Sequence, residues 1–491
     1  MRVLFVDIDT LRPDRMSCYG YDRMTTPNMD EVAKEGVVFE NYYCSDAPCL
    51  PSRAALVSGM FGIHNGAVGH GGTVADMTLY GAERSFRNPH DTNNLFNTFR
   101  RAGFHTASIS TFAERHSSYW FNAGFNETYN VGDGGMESGE KVIPIALDWL
   151  EKNQDKDNWF LHLHIWDPHT PYRAPKEFGE PFDKSKVNTW INEEEFSKHL
   201  QHTGPHSANE LNMFEDTVDP NYPRHPGKLA SYEDMKYFQN EYDRSVHYAD
   251  YIIGQVFDKL RESGIYEDTA IIITSDHGEN MGELGLYGEH ATADHPTCRI
   301  PMIIKWPYAK AGHKDTGFHY NIDLAPTMAE MLGVEIKENL DGASYKESLI
   351  NGEDTGHECL VLSQLAHVCQ RSCRFEDWLY IRTYHDGYHL FDDEMLFNIK
   401  DDPYEQEDVK EKYPQVCEKG AKYILDWVDA NMKKNSQQID PLWTVMSEGG
   451  PFHAIDYPLD KYLEHLENTG RAEGAQKLKE KYTQNLHKKQ F

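Results

Sequence analysis

Long apolar runs are missing from this sequence. With 39% hydrophobic and 26% charged residues and a mean hydropathy of -0.68, it has the composition of a soluble globular protein and no room for a membrane span. Cysteine is scarce: eight, at positions 18, 44, 49, 298, 359, 369, 373 and 417, are scattered over 491 residues. No export signal precedes them, because Met1 to Asp7 reads as a buried strand and not as a charged segment followed by an apolar one. They are therefore read as reduced thiols of a cytoplasmic enzyme. Cys369 and Cys373 in "CQRSC" have no second pair or nearby histidine to complete a metal site, and read as ordinary thiols. Positive charge is also short. Against 79 Asp and Glu stand 48 Lys and Arg, a net charge of -31, and that field opposes nucleic acid, anionic membranes and long polyanions. A small anion would need a local cationic pocket. Internal repeats and low-complexity tracts are absent.

What is present is an alternation of buried strands and helices. Apolar runs at 3–8, 105–110, 158–166, 269–275 and 301–306 interleave with helical patterns at 26–35, 91–102, 142–152, 231–262 and 324–332. This predicts an α/β domain with a large, mainly parallel sheet flanked by helices. Ligands gather at the carboxyl ends of such strands, where Asp9, His169 and Asp276-His277 fall. Residues 176–228 show no lasting period and are expected to form a lid insertion. The catalytic domain is placed at 1–351 and a smaller α+β domain at 352–491. In the latter, "DWLYIRTYHDGYHLFD" reads as a hairpin turning at "HDG", followed by an amphipathic helix near 413–433. The tail from 434 carries Trp443, Phe452 and His453 as candidate pocket residues.

The chemistry concentrates in "CSDAPCLPSRAALVSGM". Pro51 suits a first helical turn, so Cys49 stands at a helix N-terminus, whose free N–H groups attract anions. Arg53, one turn on, is placed to return its guanidinium to the same spot and grip an oxyanion. The plain alternative is a low-pKa or buried thiol at a helix start.

Cys-x-Pro-Ser-Arg followed by a Ser-Gly helix end resembles the motif of the type I sulfatases, in the alkaline-phosphatase superfamily. The resemblance implies that Cys49 is oxidised by a formylglycine-generating maturation enzyme, and that the hydrated aldehyde is the nucleophile. "VDIDTLRPDRMSCYGY" is similar to the family's first metal strand, with Asp9 as ligand and Thr10 where many members have a second Asp. Asp7 shares Asp9's strand face and is assigned to support the ligands, not to bind metal. "TSDHGE" resembles the second metal segment, with Asp276 and His277 as ligands. Together with residue 49 these imply one divalent metal; hard oxygens and one imidazole suit Ca²⁺ first, with Mg²⁺ or Mn²⁺ as alternatives. "HIWDPHTPY" looks like the segment that brings a histidine, here His169, to the ester oxygens. His162 and His164, inside the strand, read as core histidines.

Two departures bear on substrate. Thr111 stands where members acting on sulfated sugars carry a lysine, and Ala113 where they carry a histidine; His116 is the nearest candidate imidazole, with an exposed helix-start residue as the alternative. A second lysine is replaced in "LYGEHATADHPTCRIP", with His290 as candidate substitute and His70 as a further pocket wall. Arg53, Thr111 and His290 are expected to spread charge, His169 to assist the leaving alcohol, and His116 or His70 to act as base. The resemblance thus implies a sulfatase acting on a small sulfated carbohydrate or other alcohol. Phosphonate monoester or phosphodiester hydrolases of the same superfamily are the alternative, and a sugar-binding scaffold with an unconverted Cys49 is the non-enzymatic one. The oligomeric state is open.

Overall fold

The structure is a computed structural model that describes residues 1–79, 90, 93–182, 184–187, 189–336, 340–434 and 439–486. Its centre is an eight-stranded sheet. From edge to edge the strands are Lys314–Tyr320, Val37–Tyr43, Met302–Lys305, Thr269–Thr274, Arg2–Ile8, Trp159–Ile165, His105–Ile109 and Glu127–Tyr129. All neighbours pair in parallel except Met302–Lys305, which is antiparallel to both of its partners. The mainly parallel α/β architecture expected from the alternation is what the chain forms.

The sheet is buried on both faces, which is why its strands read as continuous apolar runs. On the Arg2–Ile8 strand, Leu4, Val6 and Ile8 enter one core, and Val3 and Phe5 the other, as the period of two requires. The first core is covered by helices Pro27–Glu35, Gly139–Asn153 and Tyr232–Glu262. The last of these begins at a capping box in which Ser231 and Asp234 satisfy each other's backbone N–H. Helices Cys49–Ser58, Leu95–Arg101 and Leu324–Leu332 cover the other face. The helix expected at 91–102 runs from Leu95 to Arg101; positions 91–92 lie outside the described residues.

Three expectations need correction. Strands Val37–Tyr43 and Lys314–Tyr320 were not foreseen, because their polar residues interrupt the apolar run and they lie toward one edge of the sheet. Segment 176–228 is not without elements: it holds helix Glu193–His199, capped by Asn192, and buries Ile191, Phe196, Leu211 and Phe214. The second sheet is antiparallel through Cys359–Gln364, Cys369–Phe375, Trp378–His385 and Glu394–Asn398. Its tight turn is at Glu376-Asp377; "HDG" instead opens a longer loop ending at Glu394. Asp46–Ala47 joins this sheet as a parallel edge strand, so the segment entering the Cys49 helix is tied to both sheets.

Candidate active site

Parallel strands end at a common edge of the sheet, and there the chain sets its chemistry. Asp9 follows Arg2–Ile8, Asp276 and His277 follow Thr269–Thr274, and His169 follows Trp159–Ile165. Cys49 is the first residue of helix Cys49–Ser58, all ten residues of which are buried. Ser52 fixes the helix against the metal strand by donating its hydroxyl to the Asp276 carbonyl at 2.6 Å.

Asp9, Cys49, Asp276 and His277 each offer one donor atom within 4.8 Å of the others. Cys49 Sγ lies 3.1 Å from His277 Nε2. Both carboxylate oxygens of Asp9 are buried without a hydrogen bond; Oδ2 has the Arg53 guanidinium at 3.2 Å, and Oδ1 is left to a further cation, without which its burial costs free energy. Two carboxylates, an imidazole and residue 49 therefore fit a divalent ion. Thr10, in the left-handed region at φ 56°, contributes its backbone N–H to Asp276 Oδ1 at 3.2 Å, while its hydroxyl is buried without a hydrogen-bond partner.

Arg53 corrects its expected role. Its guanidinium is buried and committed: Nε and one terminal nitrogen donate to the two oxygens of Asp7 at 2.9 and 3.1 Å, and the other terminal nitrogen donates to Asp276. The nitrogen bound to Asp7 also lies 3.2 Å from Asp9 and 2.9 Å from His164 Nε2. Arg53 is a strut for three carboxylates, not a free oxyanion grip. Asp7 supports the ligands, as expected, by holding Arg53. His162 is a core histidine whose Nδ1 pairs with Ser108 at 2.9 Å and whose Nε2, 3.6 Å from Asp7, makes no hydrogen bond. His164, read as a core residue, spans Ser110 at 3.0 Å and Arg53, and its Nε2 stands 3.5 Å from Asp9.

Burial alone would push these carboxyls up, but Arg53 outweighs it and holds Asp7, Asp9 and Asp276 below the ordinary range. A folded pKa below the unfolded one gives stability that is present above the unfolded value and lost as pH falls through it toward the folded one. The wild-type chain is thus expected to lose stability progressively below pH about 4. Urea melts at stepped pH would show a shallower loss for Asp7→Asn, which lacks one of the three groups. Against the cost of burial, Asp276 and Cys49 hold His277 well above its usual value. Burial and the Asp9 carboxylate push the Cys49 thiol up to about 11, so the low-pKa thiol at a helix start is not what the surroundings of Cys49 produce.

The remaining candidates separate. Thr111 accepts from Trp166 Nε1 at 2.8 Å and donates to Glu137; its hydroxyl is spent on packing, so it does not meet a substrate oxygen as expected. His116 is not a helix-start residue but the C-cap of helix Phe112–Arg115, half-buried, with Nε2 unpartnered. Burial, then Arg115, drives it down to about 3. His70 accepts the Leu50 N–H at Nε2, at 3.4 Å, which sets it against the head of the Cys49 helix. His169 donates Nδ1–H to the Thr170 carbonyl at 2.5 Å, and burial pushes it down to about 3 despite Asp9. Its Nε2 is thus a proton acceptor in the free chain and must gain a proton to assist a leaving oxygen. His290 gives Nε2–H to Glu289 at 2.7 Å, leaving a buried, unpartnered Nδ1, with its ring 4.0 Å from that of His277. Burial holds His290 below its usual value despite the Glu289 carboxylate, so it does not bring the fixed positive charge of a lysine.

Sequence reading missed Glu289, His206, His367 and Arg115. Glu289 binds His206 of segment 176–228 at 3.0 Å; Arg115 lies over Trp166 at 5.1 Å. His453 is at the site, while Trp443, more than half exposed, packs on Tyr384 elsewhere. Only the neighbouring "AERH" and "GEH" motifs pointed toward Arg115 and Glu289. The eight cysteines are free, and Cys369 and Cys373 enter different cores.

A donor set suited to a divalent ion thus lies at the carboxyl edge of a mainly parallel sheet, where ligands of such folds gather, with Cys49 at a helix head beside it. Residues 2–334 match the sulfatase family model, and residues 282–425 the C-terminal model of N-sulphoglucosamine sulphohydrolase. The chain belongs to the sulfatase family, a group of sulfuric ester hydrolases. It is 25% identical to an N-acetylglucosamine-6-O-sulfatase of Bacteroides thetaiotaomicron, over 91% of this chain and 89% of that one. It is 26% identical to a multifunctional alkaline phosphatase superfamily protein of Trinickia caryophylli, over 72% and 77% respectively. In fold it is similar to a protein solved in complex with its substrate D-glucosamine-2-N,6-O-disulfate, with a TM-score of 0.68 and 20% identity over 90% of this chain and 99% of that one. It is also similar to the phosphonate monoester hydrolase of Silicibacter pomeroyi, with a TM-score of 0.66 and 20% identity over 90% and 97%.

Proposed function

We propose that the chain hydrolyses the sulfate ester of a small sulfated carbohydrate or other alcohol, using formylglycine made from Cys49 and one divalent metal, Ca²⁺ foremost. The observation that carries this is the donor set itself: Asp9, whose carboxylate oxygens make no hydrogen bond, lies with Asp276, His277 and residue 49 so that one donor atom of each is within 4.8 Å of the others. The metal supplies Lewis-acid polarisation of a sulfate oxygen and acidifies the nucleophile. The chain's own residues do the rest. Asp7, Arg53 and His164 keep the carboxylates in place, and His277 sits within hydrogen-bond distance of the residue 49 side chain. His169, fixed by Thr170, accepts a proton at Nε2 before giving it to the departing oxygen. His70 shields the helix head and, with His116, is a candidate base for release of sulfate.

The maturation enzyme must act before folding is complete, because every residue of Cys49–Ser58 is buried. Free cysteines suit a reducing compartment, the cytoplasm. The relative named for N-acetylglucosamine 6-sulfate supports a sulfated amino sugar as the first substrate to try. A phosphonate or phosphodiester reading is favoured by the two missing lysines and by the fold of the phosphonate hydrolase.

Parallel kcat/KM measurements on an aryl sulfate and an aryl phosphonate monoester separate the two. The sulfate is expected to win by more than about tenfold, roughly 1.4 kcal/mol of transition-state preference. A ratio of that size toward phosphorus would establish the second reading instead.

A further inference from the structure

Beside the first donor set lies a second one, of which the proposed chemistry uses His70 alone, as one of two candidate bases; if His70 ligates an ion, that role falls to His116. His70 comes from the loop after the Cys49 helix, His367 from the turn between the first two strands of the small sheet, and His453 from the short helix Phe452–Ile455 of the C-terminal region. Each presents one nitrogen within 4.8 Å of the other two. His70 Nδ1 and His453 Nε2 are 3.0 Å apart, near the separation of about 3.3 Å that a tetrahedral ion with bonds of about 2.0–2.1 Å imposes on its ligands.

His367 is buried, with Nδ1 lacking any hydrogen-bond partner, while its Nε2 is turned toward Glu289 Oε1 at 3.7 Å. At that distance the carboxylate, whose oxygens are taken by His290 and His206, makes no hydrogen bond to His367, and the buried Nδ1 is the nitrogen left without a partner. Burial holds all three rings below their usual pKa, so each is neutral at neutral pH; His70 Nδ1 and His453 Nε2 share one proton in a hydrogen bond, and an ion binding between them displaces it. His70 and His453 are only partly buried, which leaves an entry path.

The trio is held together by the fold and not by neighbouring sequence. His453 N–H donates to the Ala366 carbonyl at 3.1 Å, pinning the C-terminal helix to the turn that carries His367. A Cβ on Gly71 would stand 2.3 Å from the Phe452 ring, so the absence of a side chain there lets Phe452 close on the loop and set His453 against His70.

We propose that His70, His367 and His453 form a second metal site, selective for an imidazole-seeking transition-metal ion of the Zn²⁺ class. Imidazoles suit such ions, whereas the oxygen-rich first site suits Ca²⁺, Mg²⁺ or Mn²⁺. The ion places divalent charge beside the head of the Cys49 helix, since His70 faces Leu50 N–H. That charge stands in for the family's two lysines, whose positions hold Thr111 and His290 here. The site does not depend on which ester is hydrolysed.

Chelator-treated full-length protein titrated with Co²⁺, a coloured substitute for Zn²⁺, tests this without any turnover. Equilibrium dialysis is expected to give two equivalents per chain, one of them with the visible absorption of a low-coordinate imidazole site and displaced by Zn²⁺ but not by Ca²⁺. His453→Ala and, separately, His70→Ala should each lose that equivalent and its absorption, while Asp276→Asn loses the other and keeps the absorption. Thermal melts confirm folding, and His453→Gln serves as the gentler variant should alanine unfold the helix. Unchanged stoichiometry and spectrum in folded His453 and His70 variants would overturn the proposal.

Discussion

Cys49→Ala is expected to cut kcat on the order of 10⁴- to 10⁶-fold, the range for removing a covalent nucleophile, while leaving the fold intact. The thiol is 2% exposed and sits at the head of a helix whose remaining contacts do not pass through it, so the stability cost is about 1 kcal/mol or less. Asp9, Asp276 and His277 stay in place to bind metal. Single-turnover kinetics together with metal content reads both halves: near-total loss of chemistry with at most modest loss of metal. A variant that lost metal and fold together, with turnover falling only in proportion, would make residue 49 a structural element and not the nucleophile.

Arg53→Met is expected to be the most destabilising single change at the site. It leaves Asp7, Asp9 and Asp276 without their shared cation in a region that water does not reach. Breaking a buried ion pair by removing one partner costs about 3–5 kcal/mol, and here three carboxylates lose the same partner. Arg53→Lys should recover little, because an ammonium cannot reproduce the fork that binds both oxygens of Asp7 and reaches Asp276 as well. Urea denaturation with measurement of metal affinity checks it. A strut loses stability and metal affinity together. An arginine whose task was to grip substrate would instead raise KM or lower kcat with stability near that of the wild type, and that pattern would contradict the assignment made from its hydrogen bonds.

Much of the site was legible because parallel strands announce themselves as apolar runs and deliver the residues just beyond their carboxyl ends to one edge. Asp9, His169 and Asp276-His277 each come after such a run, and the structure gathers them with Cys49 as the spacing implied. What Arg53 does was not legible. Its place one turn from Cys49 fixes where it starts, but its partners Asp7 and Asp276 lie 46 and 223 residues away, and only tertiary packing decides that it turns to them. Thr111 was misjudged for a related reason: alignment to a motif gives a position, while Trp166 and Glu137 determine where the hydroxyl goes. The histidine trio left no local signature at all, being assembled from a loop, a turn and a C-terminal helix nearly four hundred residues from end to end. Strands Val37–Tyr43 and Lys314–Tyr320 escaped because they mix polar with apolar residues.

The most direct test of the account is the mass of the peptide that carries residue 49, taken from enzyme purified from its own host and first shown to release sulfate. That peptide is expected to be lighter than the sequence requires by the difference between a thiol and an aldehyde, and to react with carbonyl-specific reagents. An unaltered cysteine at position 49 in a fully active preparation would contradict the nucleophile and with it the reading of the site.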